Sequence, residues 1–248
     1  MTPPVQRSVN AIKGHLRVWR RWIFECFGNP AYTPKTSLGE LDDRLGKYLN
    51  YKDGVFIEAG ANDGISQSNT YYLENGRRWR GILVEAIPEL FQKCKAQRRA
   101  RVFNCALVAS DYPAATVRMH FANLMSVADG VLSDSELKEH LELGFECQKL
   151  ENAYEVEVPA VTLASLVEEC GLDRIDFLSL DVEGGEADVL DGLDLRKNRP
   201  RFILVEARFF DAVDALLTSH DYGLLEKMSH HDYFYADLLH PEGKVHRR

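Results

Sequence analysis

Short apolar runs that stop at an acid recur along this chain, and each is followed by a stretch of helical character. "VFIE" ends at Glu58, "GILVE" at Glu85, "IDFLSLD" at Asp181 and "FILVE" at Glu206. A strand that is apolar at every position, not alternately, is buried on both faces. Strands of that kind alternating with helices make a parallel sheet covered on two sides. In open parallel sheets, ligands sit beyond the carboxyl ends of the strands. One carboxylate at a strand end is ordinary, whereas four on one rim describe a cleft.

Around these runs the chain punctuates itself. Ser37 with Glu40 three residues on is a capping box, and Leu38, Leu41, Leu45 and Leu49 repeat at helical spacing behind it. Val55–Ile57 is the first strand, and Ser68–Asn75 reads as a helix with Leu73 and its tyrosines facing inward. "RGILVEA" is the second strand, "PELFQKCKAQ" a helix with Pro88 in its first turn, and "RVFNCALVA" the third strand. "TVRMHFA" alternates and reads as a strand in an excursion. Residues 123–155 are polar without a core period and read as an insertion. "TLASLVEECG" is a helix capped by Thr162 and stopped by Gly171. The strand ending at Asp181, the helix "EADVLDGL", the strand ending at Glu206 and the helix "DAVDALLTSH" follow. The closing strands, "YGLLEKM" and "DYFYADL", are too close for a helical crossover and must be antiparallel.

With 248 residues, 45% of them apolar, the chain can bury one sizeable core. A formal net charge of -8 argues against a general nucleic-acid binder, which needs a basic field to neutralise phosphates. The five cysteines (Cys26, Cys94, Cys105, Cys147 and Cys170) are scattered with no CxxC pair, which fits reduced thiols in a cytoplasmic setting. No apolar run reaches the roughly 18 residues of a membrane span, and the N-terminus lacks the apolar core of a secretory signal.

Residues 1–36 form a basic, amphipathic helical extension ahead of a domain spanning 37–248. The extension sets Arg7, Lys13, Arg17, Arg20 and Arg21 against a single acid, Glu25, and carries Trp19 and Trp22. Such a helix either packs on the domain or a second copy of the chain, or lies on a membrane surface.

The turn after the first strand, Gly60-Ala61-Asn62-Asp63-Gly64, lacks the middle glycine of the dinucleotide fingerprint, which lets backbone approach a pyrophosphate. Glu58 just before it suits a cationic amino group. Glu85, 25 residues past Gly60, stands where a carboxylate takes ribose hydroxyls. An amino group and a ribose without a diphosphate describe S-adenosylmethionine.

The segments "VFIEAGANDGISQSNTYYLE", "WRGILVEAIPELF", "VPAVTLASLVEECGLDRIDFLSLDVEGGEADVLDGLD" and "RFILVEA" together resemble the FkbM-type methyltransferases. "GANDG" paired with "DVEGGE" is the specific signal. The N-terminal extension and the insertion fall outside the likeness. The resemblance implies a class I, Rossmann-like α/β three-layer sandwich: a mostly parallel seven-stranded sheet whose last strand is antiparallel. It implies S-adenosylmethionine as donor and hydroxyls of sugars and polyketides as usual acceptors. By position, Glu58, Gly60, Ala61, Asp63 and Gly64 fall in the first cofactor motif. Glu85 with Ala86 falls at the ribose, Asn104, Cys105 and Ala106 border the adenine, and Ser68 and Asn69 face the methionine carboxylate.

Methylating an alcohol removes its proton as the oxygen attacks, so a carboxylate base near the fourth strand's end is expected. Asp181 and Glu183 are the candidates. Asp181 also has a cofactor reading, orienting the methionine amine, and Glu183 a capping one. His231, between the last strands, is a further candidate base. Asp181 and Glu206 end neighbouring strands and together would bind one Mg²⁺, as in catechol-type methyltransferases, which resemble this arrangement. Glu206 alternatively contacts acceptor hydroxyls or Arg208. The expected function is O-methylation of a small-molecule or glycan acceptor, in the cytoplasm or at a membrane periphery. Two rivals remain: a nicotinamide-dependent oxidoreductase, opposed by the missing glycine, and a non-catalytic interaction module, opposed by the intact strand-end acids.

Overall fold

The computed structural model describes residues 35–37, 40–121, 126–148 and 154–240. The N-terminal extension, apart from its last two residues, lies outside them, and so do its membrane and dimer readings. In chain order the elements are α1 (Leu41–Leu45), β1 (Val55–Ala59), α2 (Tyr71–Arg77), β2 (Arg80–Val84), α3 (Pro88–Gln97) and β3 (Arg101–Phe103). An excursion follows, with β4 (Ala106–Leu107), β5 (Thr116–His120), β6 (Val127–Ala128), α4 (Asp134–Gln148) and β7 (Glu155–Val161). The chain then returns through α5 (Leu163–Glu169), β8 (Ile175–Leu180), α6 (Glu186–Asp191), β9 (Pro200–Glu206), α7 (Phe210–Ser219), β10 (Tyr222–Lys227) and β11 (Asp232–Asp237).

The main sheet has seven strands in the order β10-β11-β9-β8-β1-β2-β3. β1 pairs in parallel with β2 and β8, and β8 with β9, whereas β11 runs antiparallel to both β9 and β10. The chain leaves β1 toward one edge through β2 and β3, then crosses back to β8 on the other side. β1 and β8 therefore flank the point where the strand order reverses, the place where such sheets open a crevice.

Apolarity at every strand position makes this a three-layer structure. Phe56, Leu83, Phe177, Phe202, Leu204 and Phe234 meet one layer, through Leu41, Leu45, Leu73 and Trp79. Their strand neighbours Ile57, Ile82, Leu178 and Ile203 point the other way, into Leu163, Leu166, Val189, Val213 and Leu217. Full burial of such a side chain contributes about 1.5–3 kcal/mol, so neither face of β1, β8 or β9 could turn to water. A smaller core of Ile87, Leu90, Val108, Val117, Met119 and Val158 fastens the excursion to the main body.

Several sequence expectations hold. Pro88 opens α3, and Thr162 caps α5 by accepting a hydrogen bond from Ser165 N. Gly171 takes the left-handed conformation, φ +59°, just past α5. The closing strands are antiparallel.

Four expectations need correction. Ser37 does not pair with Glu40: its Oγ accepts from Asp42 N at 2.8 Å while Asp42 Oδ2 accepts from Ser37 N at 3.0 Å, so the reciprocal cap closes one residue inside a helix that starts at Leu41. The helix expected from Ser68 begins at Tyr71, because Ser68 Oγ accepts from Thr70 N and Tyr71 N. The third strand is two strands. Asn104 Nδ2 donates to the carbonyls of Glu85 and Ala86, at 2.9 and 2.7 Å, and turns the chain out of the main sheet. β4 then joins a second sheet of order β4-β7-β5-β6. Within 123–155, a region read as lacking a core period, lies the 15-residue helix α4.

Candidate functional site

A cavity of about 540 Å³ opens at the carboxyl ends of β1, β2 and β8. That lies within the roughly 300–1,000 Å³ range of small-molecule and cofactor sites. The strand ends are knitted together by backbone bonds: Gly60 N and Ala61 N donate to Val84 O, and Asp181 N donates to Ala59 O. Gly60 (φ +82°) sits so close to β8 that a Cβ there would lie 1.8 Å from the Asp181 carbonyl oxygen. Any side chain at 60 would force the two central strands apart just where the cavity begins.

Glu58, Gly60, Ala61, Ser68, Asn69, Glu85, Ala86, Cys105, Ala106, Asp181 and Glu183 all line this cavity. Asp63, Gly64, Asn104, Glu206 and His231 do not line it. The Asp63 carboxylate serves its own turn, accepting from Ile65 N, Ser66 N and Ser66 Oγ. Gly64 packs its backbone against Arg98 and Cys94. Asn104 secures the end of β3, as described above. His231 is exposed on the β10–β11 connection, its ring 4.5 Å from that of His230.

Glu58 also departs from the expectation of a direct ligand. Its Oε2 accepts from Thr70 Oγ1 (2.6 Å), Ser68 Oγ (2.9 Å) and Arg98 (3.2 Å), and its Oε1 from Asn69 N (2.8 Å). Arg98, with its side chain fully buried, also bonds Glu74 at 2.6 Å, Gly64 O and Thr70 Oγ1. Both oxygens of Glu58 are thus used to shape the 64–70 loop. Ser68, expected at a methionine carboxylate, is consumed in the same network. What the loop offers the cavity is Asn69: its Nδ2 donates to Ser179 Oγ at 3.0 Å, and its Oδ1 is buried with no partner. An orphaned acceptor suits an ammonium group, not a carboxylate. Sequence inspection had no signal for Arg98, which sits in a run of arginines that reads as surface.

Glu85 is held with its Oε2 on Asn62 N (2.7 Å) and its Oε1 on Ile87 N (2.8 Å). Each oxygen keeps a second lone pair for a hydroxyl. Burial pushes its carboxyl up to about 7 against those two backbone bonds. Asn62 reaches this position at φ +48°. Cys105 is buried, and burial pushes its thiol up to about 12, so it is an inert part of the wall.

The acids beyond β8 and β9 are treated differently. Burial, with the carboxylates of Glu206, Glu183, Glu186 and Asp232, drives Asp181 well above the usual carboxylate range. Burial followed by Glu206 and Glu186 pushes Glu183 up to about 7, with Arg208 opposing. Glu183 is also strained, at φ +56°, in the turn carrying Gly184 and Gly185. Glu186 has no solvent exposure; its Oε1 takes Gly184 N at 2.8 Å and its Oε2 has no partner. Glu206 is raised by burial and by Asp232, its register partner across β9–β11.

Mg²⁺, which is usually bound by one or two carboxylates and several waters, finds no support in this arrangement: of its two expected ligands, Asp181 lines the cavity and Glu206 does not. No group of three or more His, Cys, Asp or Glu among the described residues is placed to hold a metal ion, and Glu206 is outside the cavity lining.

One residue at this rim escaped the sequence reading. His140, from α4, is buried, with Nε2 3.8 Å from Glu183 Oε2 and Nδ1 3.1 Å from Arg208. It lies in the stretch read as an aperiodic insertion, so nothing singled it out.

Among solved structures, the chain is similar to a human methyltransferase 10 domain containing protein (12% identity, 90% of this chain and 94% of that one, TM-score 0.43). It is also similar to a precorrin-6y C5,15-methyltransferase from Geobacter metallireducens GS-15 (13% identity, 81% and 90%, TM-score 0.38). A third likeness is to an S-adenosylmethionine-dependent methyltransferase from Geobacter sulfurreducens, solved in complex with S-adenosyl-L-homocysteine (16% identity, 80% and 67%, TM-score 0.35). No curated protein matches the chain. Among the described residues, no helix is long and apolar enough to cross a membrane. The methyltransferase FkbM domain matches residues 58–234, which runs from within β1, through the excursion, to within β11. With that match, a seven-stranded sheet with an antiparallel last strand, and a cavity at the strand-order reversal, the chain is a class I methyltransferase and belongs to the FkbM methyltransferase family.

Proposed function

We propose that this methyltransferase transfers a methyl group from S-adenosylmethionine to a hydroxyl of an uncharged, polyhydroxylated small molecule or glycan, with Glu183 as general base. The observation that carries the reading is Glu183 itself. It is a cavity-lining carboxylate poised at about 7, where its ionised form is present at neutral pH and its proton affinity is high. An oxygen nucleophile needs such a group; an amine acceptor that enters neutral does not need one as strongly.

The residues fit the donor. Glu85 would take the ribose hydroxyls, Asn69 Oδ1 the methionine ammonium, and the Cys105–Ala106 wall the adenine. When bound, S-adenosylmethionine supplies an electrophilic methyl on a sulfonium. The protein's part is to hold the acceptor in line and to accept the hydroxyl proton at the Glu183 carboxylate. Alignment of the reacting atoms contributes much of the acceleration in such reactions. The cavity's described lining includes Glu58, Glu85, Asp111, Asp129, Asp181, Glu183 and Asp188 and no Lys, Arg or His. A phosphorylated or carboxylated acceptor would find no basic side chain in that lining, which supports a neutral one.

The test is formation of S-adenosylhomocysteine from S-adenosylmethionine over a panel of neutral sugars and polyols, matched against their phosphorylated counterparts. Turnover with a neutral member, lost by about 10²–10⁴ in Glu183→Gln, supports the reading. Turnover confined to phosphorylated acceptors, or a Glu183→Gln variant as fast as the parent, overturns it. Titration with S-adenosylmethionine separates the donor site from the chemistry: Glu85→Ala should weaken binding and Glu183→Gln should not.

A further inference from the structure

We propose that His140 is a positioning residue for Glu183, locked in a single tautomer by Arg208. The inference rests on the reading of Glu183 as the base and extends it to the element that aims the base.

The argument starts from what a guanidinium can do. It has donors and no acceptor. Arg208 Nη1 stands 3.1 Å from His140 Nδ1, so Nδ1 must present its lone pair. The ring proton then sits on Nε2, and Nε2 faces Glu183 Oε2 at 3.8 Å. The contact is longer than a hydrogen bond, as catalytic contacts commonly are before substrate is bound. The imidazole is buried, so bulk water does not compete for that proton. The chain Arg208, His140, Glu183 therefore turns a ring N–H toward a carboxylate whose other charged neighbours, Arg208 apart, are acids: Asp181 at the end of β8, Glu186 on α6 and Glu206 at the end of β9.

An independent contact joins the same two regions. At Gly184 (φ +109°) a Cβ would lie 2.9 Å from Val131 Cγ1 and 3.3 Å from the Phe209 ring. The excursion thus packs against the turn that carries Glu183 through Val131, and its helix α4 supplies His140 to the same turn. The Glu183 turn is aimed by a part of the chain that contributes nothing to the main sheet.

The test reads the imidazole directly, in the full chain and without any acceptor. Nitrogen-15 NMR of ¹⁵N-histidine-labelled protein, with the His140 signals identified by their loss in His140→Gln, should show Nδ1 as an acceptor and Nε2 as the protonated nitrogen. Glu183→Gln should move the Nε2 resonance, and Arg208→Met should destroy the single-tautomer pattern. An Nδ1–H tautomer, or an Nε2 resonance that ignores Glu183→Gln, overturns the proposal. In turnover with a neutral acceptor from the panel, His140→Ala should lower kcat roughly ten-fold with KM for S-adenosylmethionine unchanged. His140→Gln, whose amide also donates, should recover much of the loss. Equal kcat in His140→Ala and the parent, or equal loss in both variants, overturns it as well. If Glu183→Gln turns over as fast as the parent, the base reading fails instead, and the NMR result identifies which of the two was wrong.

Discussion

Glu58 and Asp181 end adjacent strands, yet the fold treats them in opposite ways. Glu58 is matched with a fully buried guanidinium and three further donors, and Glu74 beyond it shares that guanidinium. Asp181 faces Glu183, Glu186, Glu206 and Asp232, while Arg208 and His140 are engaged with each other and with Glu183. The first arrangement keeps negative charge fixed and builds a rigid loop. The second makes negative charge costly and keeps protons available. Chemistry that moves a proton belongs at the second rim, and the shape of the donor pocket belongs to the first.

The largest break in this contrast should come from removing Arg98. Arg98→Met leaves the Glu58 and Glu74 carboxylates buried without their cation, and breaking such a pair costs about 3–5 kcal/mol. Urea unfolding should show that loss, and S-adenosylmethionine binding should weaken because the 64–70 loop no longer holds Asn69. An Arg98→Met variant of parental stability would mean that the first rim does not depend on its ion pairs. Next in size is Gly60→Ala. A positive φ in a residue other than glycine costs of order 1–3 kcal/mol, and the clash with the Asp181 carbonyl adds to it. The expected signature is a lower unfolding midpoint together with weaker donor binding.

A pH series separates the rims without any mutation. Glu85 and Glu183, both raised to about 7, hold protons in the folded state that the unfolded chain releases near the ordinary carboxylate value. Between about 4.5 and 7 the folded state binds more protons, so stability must fall as pH rises through that window. Asp181, Glu186, Glu206 and Asp232 are raised too and push the same way. Thermal midpoints measured across this range should decline, and Glu183→Gln should flatten part of the decline. A midpoint that climbs over the same window would contradict carboxyls raised by burial. The smallest effect is a control: Thr162→Ala removes the α5 cap, away from both rims, for about 0.5–2 kcal/mol. It should lower the midpoint and leave methyl transfer intact.

Much of the frame was legible because its causes are local or periodic. Strands buried on both faces need apolar residues at every position, so β1, β2, β8 and β9 announced themselves. Thr162, Pro88 and Gly171 act on the backbone next to them, and the short link between β10 and β11 excluded a crossover. Glu58, Glu85, Asp181 and Glu206 were legible as acids at strand ends, and Glu183 as an acid in the turn after β8, although Glu206 does not line the cavity. Their roles were not, since those depend on which donors and which like charges fold up beside them.

The sequence by itself therefore determined the doubly covered sheet, the glycine turn at β1 and the acids that edge the cavity. These follow from hydrophobic period, φ preference and strand polarity, which a chain carries in its own order. Only the tertiary structure decided that Arg98 would consume Glu58, that Asn104 would turn the third strand out into a second sheet, and that His140 would reach Glu183. Those contacts join residues 40, 19 and 43 positions apart. Burial, not sequence spacing, sets their energies, because a charge or a lone pair left dry must find whatever partner the packing brings within reach.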